Sequence, residues 1–234
     1  MEENNTTGRK LNIAMVCDAI DYTTGGSTVS TLRFAERLTA LGHKVIFVAA
    51  KTHYVSGDVD GIKTYRFRSM LIPNTEGKFY LAWPTVAEAK KVLKDEQIDI
   101  LHIILPFATS FVFLKAAKSM GIKVVIGAHT QVENAFLYIP KILGRELLNK
   151  IFIGYLARMY KKADVLIYPT EFAREQPPRM SVRMKCAVIS NGVDTSFFKP
   201  GDPAPFLEKY HLSRENKYFL FIGRFAHPEK DIKA

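Results

Sequence analysis

Several sets of residues in this chain have the types and spacing to handle an anionic or hydroxyl-bearing ligand. Gly25-Gly26-Ser27-Thr28 follows an apolar run and opens a helical pattern. Glycines let backbone come close to a ligand, and the first helical N–H groups are unpaired and partly positive, so this loop suits a phosphate. Ser27 or Thr28 would cap the helix or bind the same ligand, and a ligand-free turn is the plain alternative. His129 ends another apolar run and is followed by Thr130 and Glu133. A histidine there can donate to a sugar hydroxyl or a phosphate, or act as a base, or simply bond the backbone. Arg224 and Lys230 form a candidate diphosphate clamp, two cations able to neutralise a pyrophosphate leaving group. Thr170 and Asn191 also follow apolar runs, Thr170 as a helix N-cap and Asn191-Gly192 as a turn or hinge. His102 reads as a satisfied core histidine and His43 as a residue following a helix end. Neither G-x-G-x-x-G nor an acidic residue after the second strand is present, since Ala49-Ala50-Lys51 follows it, which disfavours a dehydrogenase. Glu133 does not complete an H-E-x-x-H pattern, so no zinc is inferred.

The elements that must position these residues follow from periodicity. Leu11 to Cys17 is a nearly continuous apolar run, as expected of a strand buried on both faces. Val29, Leu32, Phe34, Ala35, Leu38 and Leu41 recur at helical spacing, and Gly42 closes that helix where positive φ is needed. Lys44 to Ala49 is the second strand, completing a βαβ unit. The spacing then gives a turn at Asp58 to Gly61, a short strand from Ile62 to Phe67 flanked by solvated Arg66 and Arg68, and an irregular loop from Ser69 to Ala82. A helix opens at Pro84 and runs to about Glu96. Ile98 to Leu105, Ile122 to Ala128, Asp164 to Tyr168, Cys186 to Ile189 and Lys217 to Ile222 read as strands. Phe107 to Met120, Ile139 to Lys162, a short segment after Thr170, and Pro203 to His211 read as helices. Alternation of this kind specifies an α/β, doubly wound, Rossmann-like parallel sheet, with ligands beyond the strand C-termini where strand order switches.

Composition narrows the partners. The 234 residues are 47% hydrophobic, enough for a sizeable core, and the net charge of +10 favours an anionic partner. The two cysteines, Cys17 and Cys186, suit a reduced compartment and have no metal-ligand spacing. Residues 1–10 are polar, read as a flexible N-terminus and not as a signal peptide, and no clean apolar span of membrane length is present. The stretch from 139 to 162 carries Lys141, Arg145, Lys150, Arg158, Lys161 and Lys162 against one acid, Glu146. It reads either as a core helix with a solvated basic face or as a helix drawn to an anionic membrane surface. Nucleic acid is not expected, because no stacking motif or recognition module accompanies the charge.

Taken in order, several signposts resemble one family. They are Gly25-Gly26, Leu41-Gly42-His43-Lys44-Val45, Asp99-Ile100-Leu101-His102, Ala163-Asp164, Pro169-Thr170-Glu171-Phe172, and Ile189-Ser190-Asn191-Gly192-Val193-Asp194 with Phe197 and Pro200. Phe221-Ile222-Gly223-Arg224-Phe225 with Glu229-Lys230 completes the set. Together they resemble the N-terminal half of the family-four retaining glycosyltransferases, which have the GT-B fold of two Rossmann-like domains facing across a cleft. The resemblance implies an acceptor-binding domain over residues 11–213 and the first strand and loop of a donor-binding domain over 214–234. It implies that Gly25 and Gly26 approach the donor diphosphate, that His129 contacts the transferred sugar or the acceptor, and that Arg224 and Lys230 hold the diphosphate. The donor would be a UDP- or GDP-sugar, acting as substrate, with no cofactor or metal required.

The long loop from Ser69 to Trp83 and the basic helix look most like enzymes that glycosylate membrane lipids, such as diacylglycerol glucosyltransferases. That implies a cytoplasmic protein, peripheral at the inner membrane face. Soluble sugar or sugar-phosphate acceptors, and a non-catalytic module that binds a phosphorylated ligand, are the alternatives. The family's paired-glutamate motif is absent, Asp231 stands where glycine is usual, and most of the donor domain is missing, so this chain by itself is expected to be inactive.

Overall fold

The computed structural model describes residues 8–21, 25–72, 79–129, 144–176 and 184–220. The chain divides into two compact units, residues 1–191 and 192–234. The first unit is built on strands β1 (Asn12–Val16), β2 (Lys44–Ala50), β3 (Thr64–Phe67), β4 (Ser69–Leu71), β5 (Tyr80–Ala82), β6 (Ile100–Ile103), β7 (Lys123–Gly127), β8 (Val165–Tyr168) and β9 (Cys186–Val188). Its helices are α1 (Gly26–Ala40), α2 (Val86–Asp95), α3 (Ala108–Ser119), α4 (Arg145–Tyr160) and α5 (Glu171–Glu175). The second unit holds α6 (Ala204–Lys209) and a turn in which the Asp194 carboxylate accepts the Ser196 amide at 2.9 Å.

Seven strands pair in the order β3-β2-β1-β6-β7-β8-β9, parallel throughout. The chain steps outward from β1 to β3 on one side and from β6 to β9 on the other, so strand order switches between β1 and β6. This is the Rossmann-like sheet that the sequence specifies. Its two faces carry separate cores. Ala14, Val16, Leu101, Ile103, Phe113 and Leu156 pack on the side of α2, α3 and α4. Ile13, Met15, Cys17, Phe47 and Ile104 pack on the side of α1. Strand residues alternate between the two, as pleating requires.

Local chemistry explains the element ends. Gly42 (φ 83°) and Gly121 (φ 73°) terminate α1 and α3 in the left-handed region. Thr85 and Glu88 form a reciprocal capping box on α2, so the helix starts after Thr85 and Pro84 lies just outside it. Thr170 accepts the Ala173 amide at 3.0 Å and caps α5, as its position predicts. Asp99 and Asp164 each accept the amide of a neighbouring strand, Asn12 and Val124, at 2.9 Å. Both sit just ahead of their strands, at the N-terminal end of the parallel sheet, where they set register.

Four expectations are corrected. Ser69 to Ala82 is not wholly irregular: β4 and β5 pair antiparallel as the arms of a hairpin. Arg66 is not solvated; its guanidinium holds the Asp21 carboxylate with side chains only 8% and 3% exposed. Leu32, Phe34, Ala35 and Leu38 of α1 pack on the sheet as their spacing predicts, joined by buried Thr28, Ser30 and Thr31, but Leu41 is 55% exposed. Three of those inward residues are hydroxyls that bond back to carbonyls, Thr28 to Ala19, Ser30 to Gly26 and Thr31 to Ser27, which lets them face a packed sheet. Finally, residues 217–220 are not in a strand. Residues 221 and 222 lie outside the described residues.

Candidate functional site

The crevice outside the C-terminal ends of β1 and β6 is the geometric candidate for a ligand site. Among the described residues its walls are residues 17–21 with Gly25, the turn from Ile104 to Phe107, and Ala128 with His129 after β7.

On the α1 side, Gly25 is the N-cap of α1 in extended conformation and no side chain caps the helix. The first-turn amides are therefore left for a ligand or water. A Cβ added to Gly26 would meet nothing within 4 Å, so the backbone there is open. Thr28 neither caps nor faces the crevice, because its hydroxyl is buried and donates to the Ala19 carbonyl at 2.6 Å. The Ser27 carbonyl accepts from Thr31 within the helix.

His129 follows β7 on this same face. A Cβ at Gly127 would lie 2.6 Å from His129 Nε2, so the missing side chain at 127 is what lets the imidazole fold back over the strand. Burial holds the His129 pKa below its usual value. His102, in β6, lies on this face too, with its ring edge-on to Phe34 of α1 at 6.2 Å. Burial first, and then the nearby His129, push its pKa down to about 4. His102 is a core residue but not a satisfied one: its Nε2 is buried with no partner among the described residues. Both imidazoles are neutral at pH 7, able to hydrogen-bond but not to serve as cations.

On the α3–α4 side stands a residue that sequence reasoning missed. Asp18 follows β1 and is 3% exposed, and neither carboxyl oxygen has a hydrogen bond of normal geometry among the described residues. Burial pushes its pKa up to about 7. The Thr109 hydroxyl and the Ala82 amide face it and moderate that rise, but Thr109 is oriented to donate to the Ala82 carbonyl at 3.0 Å. An acidic residue directly after a fully buried central strand was the available signal.

The remaining candidates are dispersed. Thr170 is exposed and spends its oxygen on the α5 cap. Asn191 ends the first unit, with its Oδ1 unpartnered among the described residues. Lys150, Arg158, Lys161 and Lys162 are exposed on or just after α4, beside Leu147 (63% exposed) and Ile151 (59%), while Arg145 is half-buried. Thr130, Glu133, Lys141, Arg224 and Lys230 lie outside the described residues. A groove lined by Leu32, Glu36, Thr39, Asp60 and Ile62 sits against the C-terminal half of α1, away from the crevice. No group of metal-ligating side chains occurs among the described residues. Among them, no helix is long and apolar enough to cross a membrane.

Residues 24–197 match the profile of the family described as Glycosyltransferase Family 4. The chain is 27% identical over 225 residues to a phosphatidyl-myo-inositol mannosyltransferase from Mycolicibacterium smegmatis, covering 95% of this chain and 53% of that protein. It is 26% identical over 159 residues to an alpha-monoglucosyldiacylglycerol synthase from Streptococcus pneumoniae, covering 65% of this chain and 35% of that protein. The chain thus spans about half the length, or less, of these curated relatives. Among solved structures, a sucrose-phosphate synthase from Thermosynechococcus elongatus aligns with a TM-score of 0.50 at 15% identity, covering 87% of this chain and 98% of that one. That likeness bears on the fold alone.

Proposed function

Since this chain belongs to Glycosyltransferase Family 4, we propose that it is the acceptor-holding half of a GT-B enzyme that moves a sugar from a nucleotide-sugar to the hydroxyl of a membrane lipid. The observation that carries this reading is the family match over residues 24–197, which contains the start of α1, β6 and His129 on the crevice side of the sheet. Relatives of this chain named as a phosphatidyl-myo-inositol mannosyltransferase and an alpha-monoglucosyldiacylglycerol synthase support a lipid acceptor.

In this reading the open amides at the start of α1 hold one face of the donor diphosphate. By the family resemblance, Arg224 and Lys230 supply the cations that hold the diphosphate. The neutral imidazole of His129 donates a hydrogen bond to the sugar or the acceptor hydroxyl. The anomeric bond to phosphate breaks as the acceptor oxygen attacks from the same face, and the departing phosphate takes the acceptor proton, so configuration is retained. The exposed Leu147 and Ile151 among lysines and arginines suit adsorption to an anionic membrane, which would place the enzyme peripherally at the cytoplasmic face. These 234 residues, about half the length of the mannosyltransferase relative, are expected to be inactive by themselves.

The test is to incubate the intact protein with radiolabelled UDP- and GDP-sugars and vesicles containing diacylglycerol or phosphatidylinositol. Label should enter the organic phase for one donor–lipid pair. Label found only in water-soluble sugars would replace the lipid acceptor with a soluble one, and no transfer from any donor would sink the reading. Vesicle co-flotation should rise with anionic lipid and fall with salt.

A further inference from the structure

Asp18 is a buried carboxyl that nothing above has put to use. Burying a carboxyl without partners is costly, and folded proteins nearly always supply them. Here both oxygens lack a hydrogen bond of normal geometry among the described residues. Cations were close to hand in the sequence, yet α4 directs Lys150 and Arg158 to solvent, and Lys162 just after it lies over the Phe111 ring at 5.7 Å. The surroundings are one-sided in another respect. Tyr155 of α4 stacks on Phe152, lies 6.3 Å from Phe111, and donates to the Phe107 carbonyl at a long 3.3 Å. A carboxyl with free lone pairs thus sits where strand order switches, beside a wall of aromatic rings.

We infer that Asp18 binds the hydroxyl of the acceptor, an alcohol with an apolar portion that lies against the Phe107–Phe111–Tyr155 rings. The inference rests on the acceptor-holding reading above and names the residue that would select the acceptor. A hydroxyl donor completes the empty coordination of the carboxylate, and the rings take the apolar part. An ammonium ligand fits less well, since the basic α4 lies beside the site. The acceptor displaces the weak Tyr155–Phe107 bond as it enters. Asp18 holds the acceptor in place; it takes no proton from it in the transfer step.

The test is calorimetric titration of the intact protein with dihexanoylglycerol, a short-chain alcohol of this type, between pH 6 and pH 8. Of the titratable groups that sense Asp18, Cys17 and Tyr155 are both pushed up to about 12 and stay protonated throughout, so the carboxyl itself carries the change. With its pKa near 7, the ionised fraction rises about tenfold over that range, and affinity should rise about tenfold with it. Binding at pH 7 should also release protons, read from the heat in buffers of different ionisation enthalpy. Asp18→Asn keeps shape and burial while removing the charge, so it should fold well. It should bind at pH 8 about as weakly as wild type does at pH 6, with no pH dependence.

An Asp18→Asn titration that tracks wild type at every pH would overturn the inference. So would a wild-type protein that ignores dihexanoylglycerol. Transfer assays run alongside separate the two readings. Sugar transfer to lipid with an unchanged acceptor KM in Asp18→Asn defeats the role of Asp18 and leaves the enzyme reading standing. A raised acceptor KM with little change in kcat supports it. Absence of all transfer defeats the enzyme reading, while calorimetry still decides whether Asp18 holds the alcohol.

Discussion

Asp18 and Asp21 stand three residues apart on the loop after β1, and both carboxyls are buried. Their surroundings could hardly differ more. Asp21 points toward β2 and β3, where Arg66 meets it with two parallel contacts of 2.7 and 2.9 Å. The remaining Arg66 donors go to the Gly57 and Ala50 carbonyls, and Thr52 adds a hydroxyl to Asp21 at 3.3 Å. Asp18 faces α3 and α4 and meets neither a cation nor a properly placed donor among the described residues. One loop therefore contains a carboxylate whose hydrogen bonds are made by the fold and one whose hydrogen bonds are left open. The paired one anchors the loop that leads into the glycine turn. The open one is placed to answer a ligand.

The contrast is broken most severely by Arg66→Ala, which leaves the buried Asp21 carboxyl without its guanidinium and with only the Thr52 hydroxyl at 3.3 Å. The expected cost is about 3–5 kcal/mol, measured by urea unfolding followed through Trp83. A loss under about 1 kcal/mol would mean that the pair does not anchor the loop.

Next comes the pH dependence of Asp18. Its folded pKa of about 7 lies above the usual carboxyl value, so the folded state binds a proton more tightly than the unfolded chain. Wild type should then lose stability as pH rises from about 4 to about 7, on the order of 3–4 kcal/mol in all, and change little above that. The difference between wild type and Asp18→Asn isolates this term. A difference that stays constant across the range would put Asp18 in an ordinary solvated setting.

Gly127→Ala probes the other face of the sheet. The new methyl collides with the His129 ring, which must swing away from the strand. If His129 contacts the reacting sugar, kcat should fall about tenfold or more, equivalent to about 1.4 kcal/mol, with a smaller change in unfolding free energy. Unchanged kcat would remove His129 from the site.

The smallest effect is expected at a place remote from both carboxylates. Thr85→Ala removes the capping box of α2 and should cost about 1 kcal/mol, equally at pH 5 and pH 8. A pH-dependent loss there would show that the Asp18 slope is not local.

Much of the scaffold was legible because its signals are local. Strand after strand appears as a short apolar run, helices at 3.6 spacing, and Gly42, Gly121 and Thr170 mark ends by chemistry confined to one turn. The β4–β5 hairpin was missed because its strands are three residues each, too short to display alternation. The buried hydroxyls of α1 beside its apolar positions were not anticipated, because they satisfy themselves on nearby carbonyls and so pass as apolar. For the site, sequence placed Gly25, Gly26 and His129 at strand ends, and the structure puts them on one face of the sheet. It did not single out Gly127, whose importance is the space it leaves for a ring two residues on.

By itself, then, the sequence determined the parallel α/β architecture, the family, and the loops on which a ligand must lie, since all of these are written in period, order and turn chemistry. Only the tertiary structure decided the roles of Asp18, Asp21 and Arg66. Nothing near Asp18 in the chain distinguishes it from Asp21, because the groups that decide are Arg66 for one and Thr109 and Tyr155 for the other. A carboxyl's behaviour depends on what replaces its water, and that replacement comes from residues brought in by the fold.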